Sequence, residues 1–219
     1  PPDVSGAYTD IWRTGFAYQQ YIPCIDPFEE MKGHLPYSLT PERYGRFLKD
    51  LFDDWYQDWK AGHPVYNRTF ENWIGLLLGY PAEACSMNGI CSEQWVVEAD
   101  GSVYPCDFYV LDEWKLGNIR DNSFEEMNQA REDLDFVSLS RNVPDKCKEC
   151  RWYPLCRNGC RRDRTLLSDG RTPGLNSYCE SYQDFFFLCL SQTAGNGPEY
   201  PLIPYPAGNL QIFSRRIFF

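Results

Sequence analysis

Four thiols fall within fourteen residues of this chain, as Cys147-x2-Cys150-x5-Cys156-x3-Cys160. Cys-x2-Cys is the spacing at which a tight turn lets two sulfurs reach one metal. A segment this dense in Cys, Lys and Arg is too irregular for a long helix or strand. On its own the block suits a structural zinc knuckle as well as an iron–sulfur site. Ten cysteines without an export signal argue for metal or redox use over a disulfide scaffold.

Four further cysteines extend the pattern. Cys91 and Cys106 flank Asp100-Gly101, read as a two-residue turn joining strands 94–98 and 103–105. Cys85 lies just upstream and Cys179 far downstream. Eight thiols make two sets of four, the number two cubane clusters need, and two zinc ions are the alternative. The remaining two, Cys24 and Cys189, sit alone in apolar surroundings and read as core residues.

Charge agrees with an anionic guest. The formal net charge is −10, yet Arg141 to Arg171 carries nine Lys or Arg against four Asp or Glu. An acidic chain repels nucleic acid and anionic membranes, so neither is an expected partner. The local excess of cations is either a solvated face or the complement of thiolate-ligated clusters. Cations near the sulfurs would also raise a cluster's reduction potential. Pro1-Pro2-Asp3 is no signal peptide and no long apolar run exists, which gives the expectation of a cytoplasmic protein.

The rest reads as α+β. Residues 16–25 form an expected buried strand. Thr40-Pro41-Glu42 starts a long amphipathic helix that Gly62 stops, with Tyr44, Phe47, Leu48, Leu51, Phe52, Trp55 and Trp59 on its apolar side. One strand and one helix cannot cover themselves, so this β/α unit implies a partner sheet or barrel. Helices are expected at 69–79, 123–134 and 178–190. Arg68, Phe70 and Asn72 open the first of these and could contact a peptide. From 191 onward Gly, Pro and Asn predict an extended or disordered tail. His34 and His63 are loop residues with no assigned role. The domains are expected at 1–80, 81–190 and 191–219.

The cysteines and their flanking text resemble a known family. Cys91-x9-Gly101-x4-Cys106, then the 147–160 block, then Cys179, is similar to the seven-cysteine signature of SPASM domains, C-terminal extensions of peptide-modifying radical-SAM enzymes. GYPAEACSMNGIC (79–91), VVEADGSVYPCDFYVLDEWKLGNI (96–119) and KCKECRWYPLCRNGCRRDR (146–164) resemble the anaerobic sulfatase-maturating enzymes in particular. The resemblance runs from about Ala17 to Phe187.

The resemblance implies the last β/α unit of a partial (β/α)6 radical-SAM barrel, followed by a SPASM domain with a β-hairpin and two [4Fe-4S] clusters. It assigns Cys85, Cys91, Cys106 and Cys160 to one cluster, and Cys147, Cys150, Cys156 and Cys179 to the other. It makes Asp107 the catalytic base; read without it, Asp107 is a turn residue. The implied reaction oxidises a Cys or Ser of a sulfatase to Cα-formylglycine, using S-adenosylmethionine and an electron donor such as flavodoxin or ferredoxin. The family's CxxxCxxC motif is absent here. The chain is therefore expected to begin inside the barrel and to be inactive alone, the radical cluster and most of the S-adenosylmethionine site lying in an N-terminal half. The competing reading is a non-catalytic, metal-stapled peptide-binding module.

Overall fold

The computed structural model describes residues 4–28 and 30–191. In chain order it contains α1 (Val4–Arg13), β1 (Tyr18–Gln19), α2 (Pro41–Lys60), β2 (Tyr66–Asn67) and α3 (Arg68–Leu77). There follow α4 (Cys85–Asn88), β3 (Val96–Val97), β4 (Ser102–Tyr104), β5 (Gly117–Asn118), α5 (Phe124–Asp133) and α6 (Phe136–Ser140). The last elements are α7 (Asp145–Lys148), α8 (Tyr153–Cys156), β6 (Arg164–Leu166), β7 (Pro173–Asn176) and α9 (Cys179–Ser191). Two compact units emerge: the stretches up to Glu83 and from Ser177 onward form the first, and Ala84–Asn176 the second. The helix expected at 178–190, assigned from sequence to the cysteine-rich domain, is α9 of the first unit.

The first unit is held by aromatic rings. Thr40 caps α2 as expected, accepting from the Arg43 N–H, and Pro41 occupies the first turn. The inner face of α2 buries Tyr44, Leu48, Leu51, Trp55 and Tyr56. Phe70 on α3 lies 5.2 Å from both Phe52 and Trp55, and 5.9 Å from Phe185 of α9, between ring centroids. Trp73 adds contacts to Phe185 and Phe186 at 5.0 and 4.9 Å. The Trp55 indole donates to the Val65 carbonyl at 2.7 Å, giving the largest buried ring a polar partner. Phe70 and Asn72 are buried and so serve the core, not a peptide surface. Arg68 instead donates to Gln20 Oε1 at 2.9 Å and approaches Glu83.

The expected strand over 16–25 is much shorter. β1 spans two residues and pairs in parallel with β2, Tyr18 opposite Tyr66. Pro23 removes a ladder donor, and beyond Gln19 the chain runs as a loop fastened by the buried Asp26, which accepts from the Gly33 N–H and the Ser38 hydroxyl. Cys24 is consequently exposed, which corrects its reading as a core residue. Helix α1 carries no signal that the sequence reading used. The expected tail lies outside the described residues apart from Ser191, which ends α9.

In the second unit β4 pairs antiparallel with β3 and also with β5, making a three-stranded sheet where a hairpin was expected. The turn is also longer than two residues. The Gly101 N–H donates to Glu98 O and the Glu98 N–H to Ser102 O, both at 2.9 Å, with Gly101 at φ +86°. This is a type I turn closed by a glycine bulge. A Cβ at Gly101 would lie 2.8 Å from the Asn118 side chain, so glycine is required twice over. Ser123 and Glu126 form a reciprocal capping box that starts α5 where expected. The sheet and α5 enclose a small core of Val103, Leu116 and Met127, with Trp95 and Leu134 at its edge.

Phe70 is 2% exposed at the centre of the first unit's rings. Phe70→Ala is expected to lower unfolding free energy by about 3–5 kcal/mol, measured by urea titration of tryptophan fluorescence.

Candidate metal centre

All four cysteines of the first predicted quartet lie in the second unit, on three separate pieces of backbone: the 85–91 loop, the end of β4 and the turn at Cys160. Cys85 is the first residue of α4, whose C-cap is Gly89 in the left-handed region. A Cβ on Gly89 would stand 1.9 Å from the Arg157 carbonyl oxygen, so this loop presses directly on the 147–160 segment. Cys91 follows, its N–H donating to the Ser140 hydroxyl at 2.9 Å. Cys106 leaves β4 and caps the 3-10 turn Asp107–Tyr109. Cys160 caps another, its sulfur 3.4 Å from the Arg162 N–H.

These thiols share an electrostatic neighbourhood. Cys160 interacts with Cys91 and Cys85, Cys91 with Cys85, and Cys106 with Cys160. Burial, more than any charge, pushes Cys160 up to about 12, with Asp163 adding to the shift. Burial likewise raises Cys91 and Cys106. For Cys91 the Ser140 hydrogen bond and the charges of Arg161 and Arg164 oppose that rise. A buried thiol is expensive to ionise unless cations or a metal stabilise the thiolate. Among the described residues no group of three or more His, Cys, Asp or Glu side chains already stands in a metal-binding arrangement, so what converges is the loops and their fields. None of the ten cysteines is in a disulfide.

The second set is divided. Cys147 is buried in α7, Cys150 follows one turn later with its N–H on Cys147 O at 3.2 Å, and Cys156 ends α8. These three lie in the second unit; Cys179 begins α9 in the first, where the Gln183 side chain reaches its sulfur at 3.6 Å. Between Cys156 and Cys160 the backbone runs left-handed for three residues, Arg157 at φ +46°, Asn158 at +66° and Gly159 at +61°. Only the last is a glycine, so the turn is strained and held from outside. Asn158 does the holding: its amide donates to Gly174 O at 2.9 Å and its side-chain oxygen accepts the Asn176 N–H at 2.9 Å.

Asp107 is exposed beside Cys106 and accepts the thiol hydrogen at 3.2 Å. Its carboxylate is thus one residue from a candidate ligand and open to an incoming group.

The basic excess resolves into two populations. Arg161, Arg162 and Arg164 are 5%, 7% and 3% exposed, whereas Arg141, Lys146, Lys148, Arg151 and Arg171 face solvent. Arg161 sits among Tyr109, Trp114 and Phe136, its guanidinium carbon 5.6, 5.0 and 4.8 Å from their ring centroids. Arg164 spends its donors on backbone carbonyls near the cysteines. Sequence reasoning registered the local charge but not which cations go inside. The Cys-x3-Cys-Arg-Arg-x-Arg text was the available signal. Ser140, Asn158 and Gly89 carried none.

The donor set therefore fits an iron–sulfur group: sulfur ligands, mostly half-buried, with cations and backbone donors beside them.

Comparison with known proteins agrees. The SPASM family model, an iron–sulfur cluster-binding domain, matches residues 85–151. A cysteine-type anaerobic sulfatase-maturating enzyme of Clostridium perfringens is 45% identical over 183 residues, covering 84% of this chain and 49% of the relative. A cysteine-type enzyme of Clostridium novyi is 46% identical with the same coverage, and a serine-type enzyme of Bacteroides thetaiotaomicron is 33% identical over 68% of this chain and 36% of its own. The solved structure of native anSMEcpe with bound AdoMet and Kp18Cys peptide superposes with a TM-score of 0.75 at 46% identity, covering 86% of this chain and 53% of that one. This chain spans about half the length of the curated relatives it matches. The chain thus carries a SPASM match at 85–151 and is similar in sequence and fold to the C-terminal portion of the anaerobic sulfatase-maturating enzymes.

Proposed function

We propose that this chain is the auxiliary-cluster half of a radical-SAM oxidoreductase that converts a Cys or Ser of a sulfatase polypeptide to Cα-formylglycine. The observation that carries the reading is the shared, half-buried neighbourhood of Cys85, Cys91, Cys106 and Cys160, drawn from three separate stretches and faced by Arg161 and Arg164. These four would hold one [4Fe-4S] cluster. Cys147, Cys150 and Cys156, with Cys179 assigned by the family resemblance, would hold the second. Bound there, the clusters supply acceptors for the single electron left over when the target is oxidised. The higher identity to cysteine-type than to serine-type relatives supports cysteine as the target residue.

The chain's own residues then have distinct tasks. The exposed Asp107 carboxylate takes the proton that the target loses. Ser140 orients the Cys91 loop through its backbone N–H. The parallel pair β1 and β2 with α2 would be the end of the barrel, and the 84–176 unit the body of the SPASM domain. S-adenosylmethionine and a third cluster belong in this reading to a CxxxCxxC-bearing N-terminal half, and a flavodoxin or ferredoxin would supply electrons to the whole enzyme. No described helix is long and apolar enough to cross a membrane.

Anaerobic reconstitution followed by iron and sulfide analysis is expected to give about eight irons per chain with broad absorbance near 400 nm. Two zinc ions without sulfide would overturn the reading in favour of a structural metal module.

In the enzyme joined to its CxxxCxxC-bearing half, Asp107→Asn should lower formylglycine turnover by about 10²–10⁴-fold while leaving iron content unchanged. Unchanged turnover would remove Asp107 from the mechanism.

The thiol shifts set a pH dependence for metal-free protein. Folded-state values raised above the ordinary 9.0 mean that the protonated thiols stabilise the fold below about pH 9. That stabilisation is lost as pH rises toward the Cys160 value of about 12. Urea midpoints of the metal-free chain should therefore fall between pH 8 and pH 11, and should fall less when Cys160 is replaced by Ser.

A further inference from the structure

Arg164 is 3% exposed, and among the described residues it makes no ion pair. Its guanidinium donates to four carbonyls: Nε to Asn158 at 3.1 Å, Nη1 to Ser140 at 2.7 Å, and Nη2 to Gly89 at 2.7 Å and Gly159 at 2.8 Å. The choice of carbonyls is telling. Gly89 lies between Cys85 and Cys91, Gly159 adjoins Cys160, and Ser140 is the residue whose hydroxyl accepts the Cys91 N–H. One side chain thus ties together two of the three stretches that bring ligands of the first quartet, the 85–91 loop and the Cys160 turn, with the Ser140 turn that holds Cys91.

Carbonyl dipoles satisfy the hydrogen bonds of a guanidinium but do not cancel its charge. A buried cation without a counter-anion costs several kcal/mol. The groups that feel this charge most are Cys91 and Cys160, followed by Tyr153 and Cys147. Thiolates, present once the cysteines are ligated, would supply the counter-charge it lacks. Arg161, 5% exposed, adjoins Cys160 and also makes no ion pair among the described residues, its charge resting on three aromatic faces. Two uncompensated cations thus stand within one buried segment beside the same sulfurs.

We propose that Arg164 is the buried counter-cation and positioning residue of the Cys85/Cys91/Cys106/Cys160 centre, fixing the ligand loops and holding the bound cluster's reduction potential up, with Arg161 contributing charge from its aromatic cage. This rests on the reading that these four cysteines hold a cluster. A nearby positive charge stabilises the reduced, more negative form, so removing it lowers the potential. A purely structural arginine would alter loading or stability without moving the potential.

The test uses the whole chain, reconstituted anaerobically, with iron and sulfide counted first and potentials then measured by EPR-monitored redox titration. Arg164→Gln is expected to shift the reduction equilibrium of one cluster about tenfold toward the oxidised form, which is about 59 mV for a one-electron couple. Arg164→Lys keeps the charge and should restore most of that shift while melting at lower temperature, because one ammonium cannot serve four carbonyls. Should Arg164→Gln fail to load, Arg161→Met decides, since its thioether fits among Tyr109, Trp114 and Phe136 and its removal of charge should lower the same potential. Loaded variants with unchanged potentials would overturn the proposal and leave the cluster reading intact. A wild-type chain that takes up no iron and sulfide would overturn both.

Discussion

Sulfurs drawn from separated stretches of chain stay together only if the loops between them are held in conformations the backbone would not choose alone. The second unit meets this constraint with polar clamps. Gly89 can lie against the Arg157 carbonyl because it has no side chain. The left-handed run at Arg157, Asn158 and Gly159 survives because Asn158 is bonded to both Gly174 and Asn176 of β7. Two successive non-glycine residues in that region cost of order 1–2 kcal/mol each in isolation, somewhat less for asparagine. The β7 bonds and the Arg164 fork offset that strain with several buried hydrogen bonds. Each clamp ends within a residue or two of a cysteine.

What was legible in the sequence was what depends on local spacing. Thr40-Pro41 announced α2 and Ser123-x2-Glu126 announced α5, because a cap needs only its own turn. The grouping of Cys85, Cys91, Cys106 and Cys160 came from family resemblance and not from local spacing. What stayed hidden depends on partners far along the chain. The run from Phe16 to Ile25 has strand composition, but a ladder needs a neighbour, and β2 offers only two residues. Asp100-Gly101 marked the turn correctly and misled on its length, since the same dipeptide serves a two-residue loop and a bulged three-residue one. Arg164 looked like one basic residue among nine; only the fold shows that the distant carbonyls of Ser140 and Gly89 join those of nearby Asn158 and Gly159 around it. Cys179 illustrates the same divide: its place at the start of an expected helix was readable, while the unit that helix belongs to was not.

The two units rest on different physics. In the first, Trp55, Phe70, Trp73, Phe185 and Phe186 bury large rings against one another, and area removed from water suffices to fold it. In the second, Val103, Leu116 and Met127 form one small apolar cluster, while Tyr104, Tyr109, Phe136 and Leu155 are buried in an interior they share with arginines and asparagines. What sets this interior apart is the polarity it buries, with Arg131, Arg161, Arg162, Arg164, Asn158 and Asn176 all inside. Arginine caged by aromatics, arginine bonded to carbonyls and asparagine bridging strands supply specificity, but each buries charge or polarity that must be matched. Metal ligation suits such an interior, because thiolates would neutralise the cations already in place and close the loops already brought near. On the proposed reading the cysteines and the buried arginines would form one electrostatic unit, each set supplying the charge the other lacks.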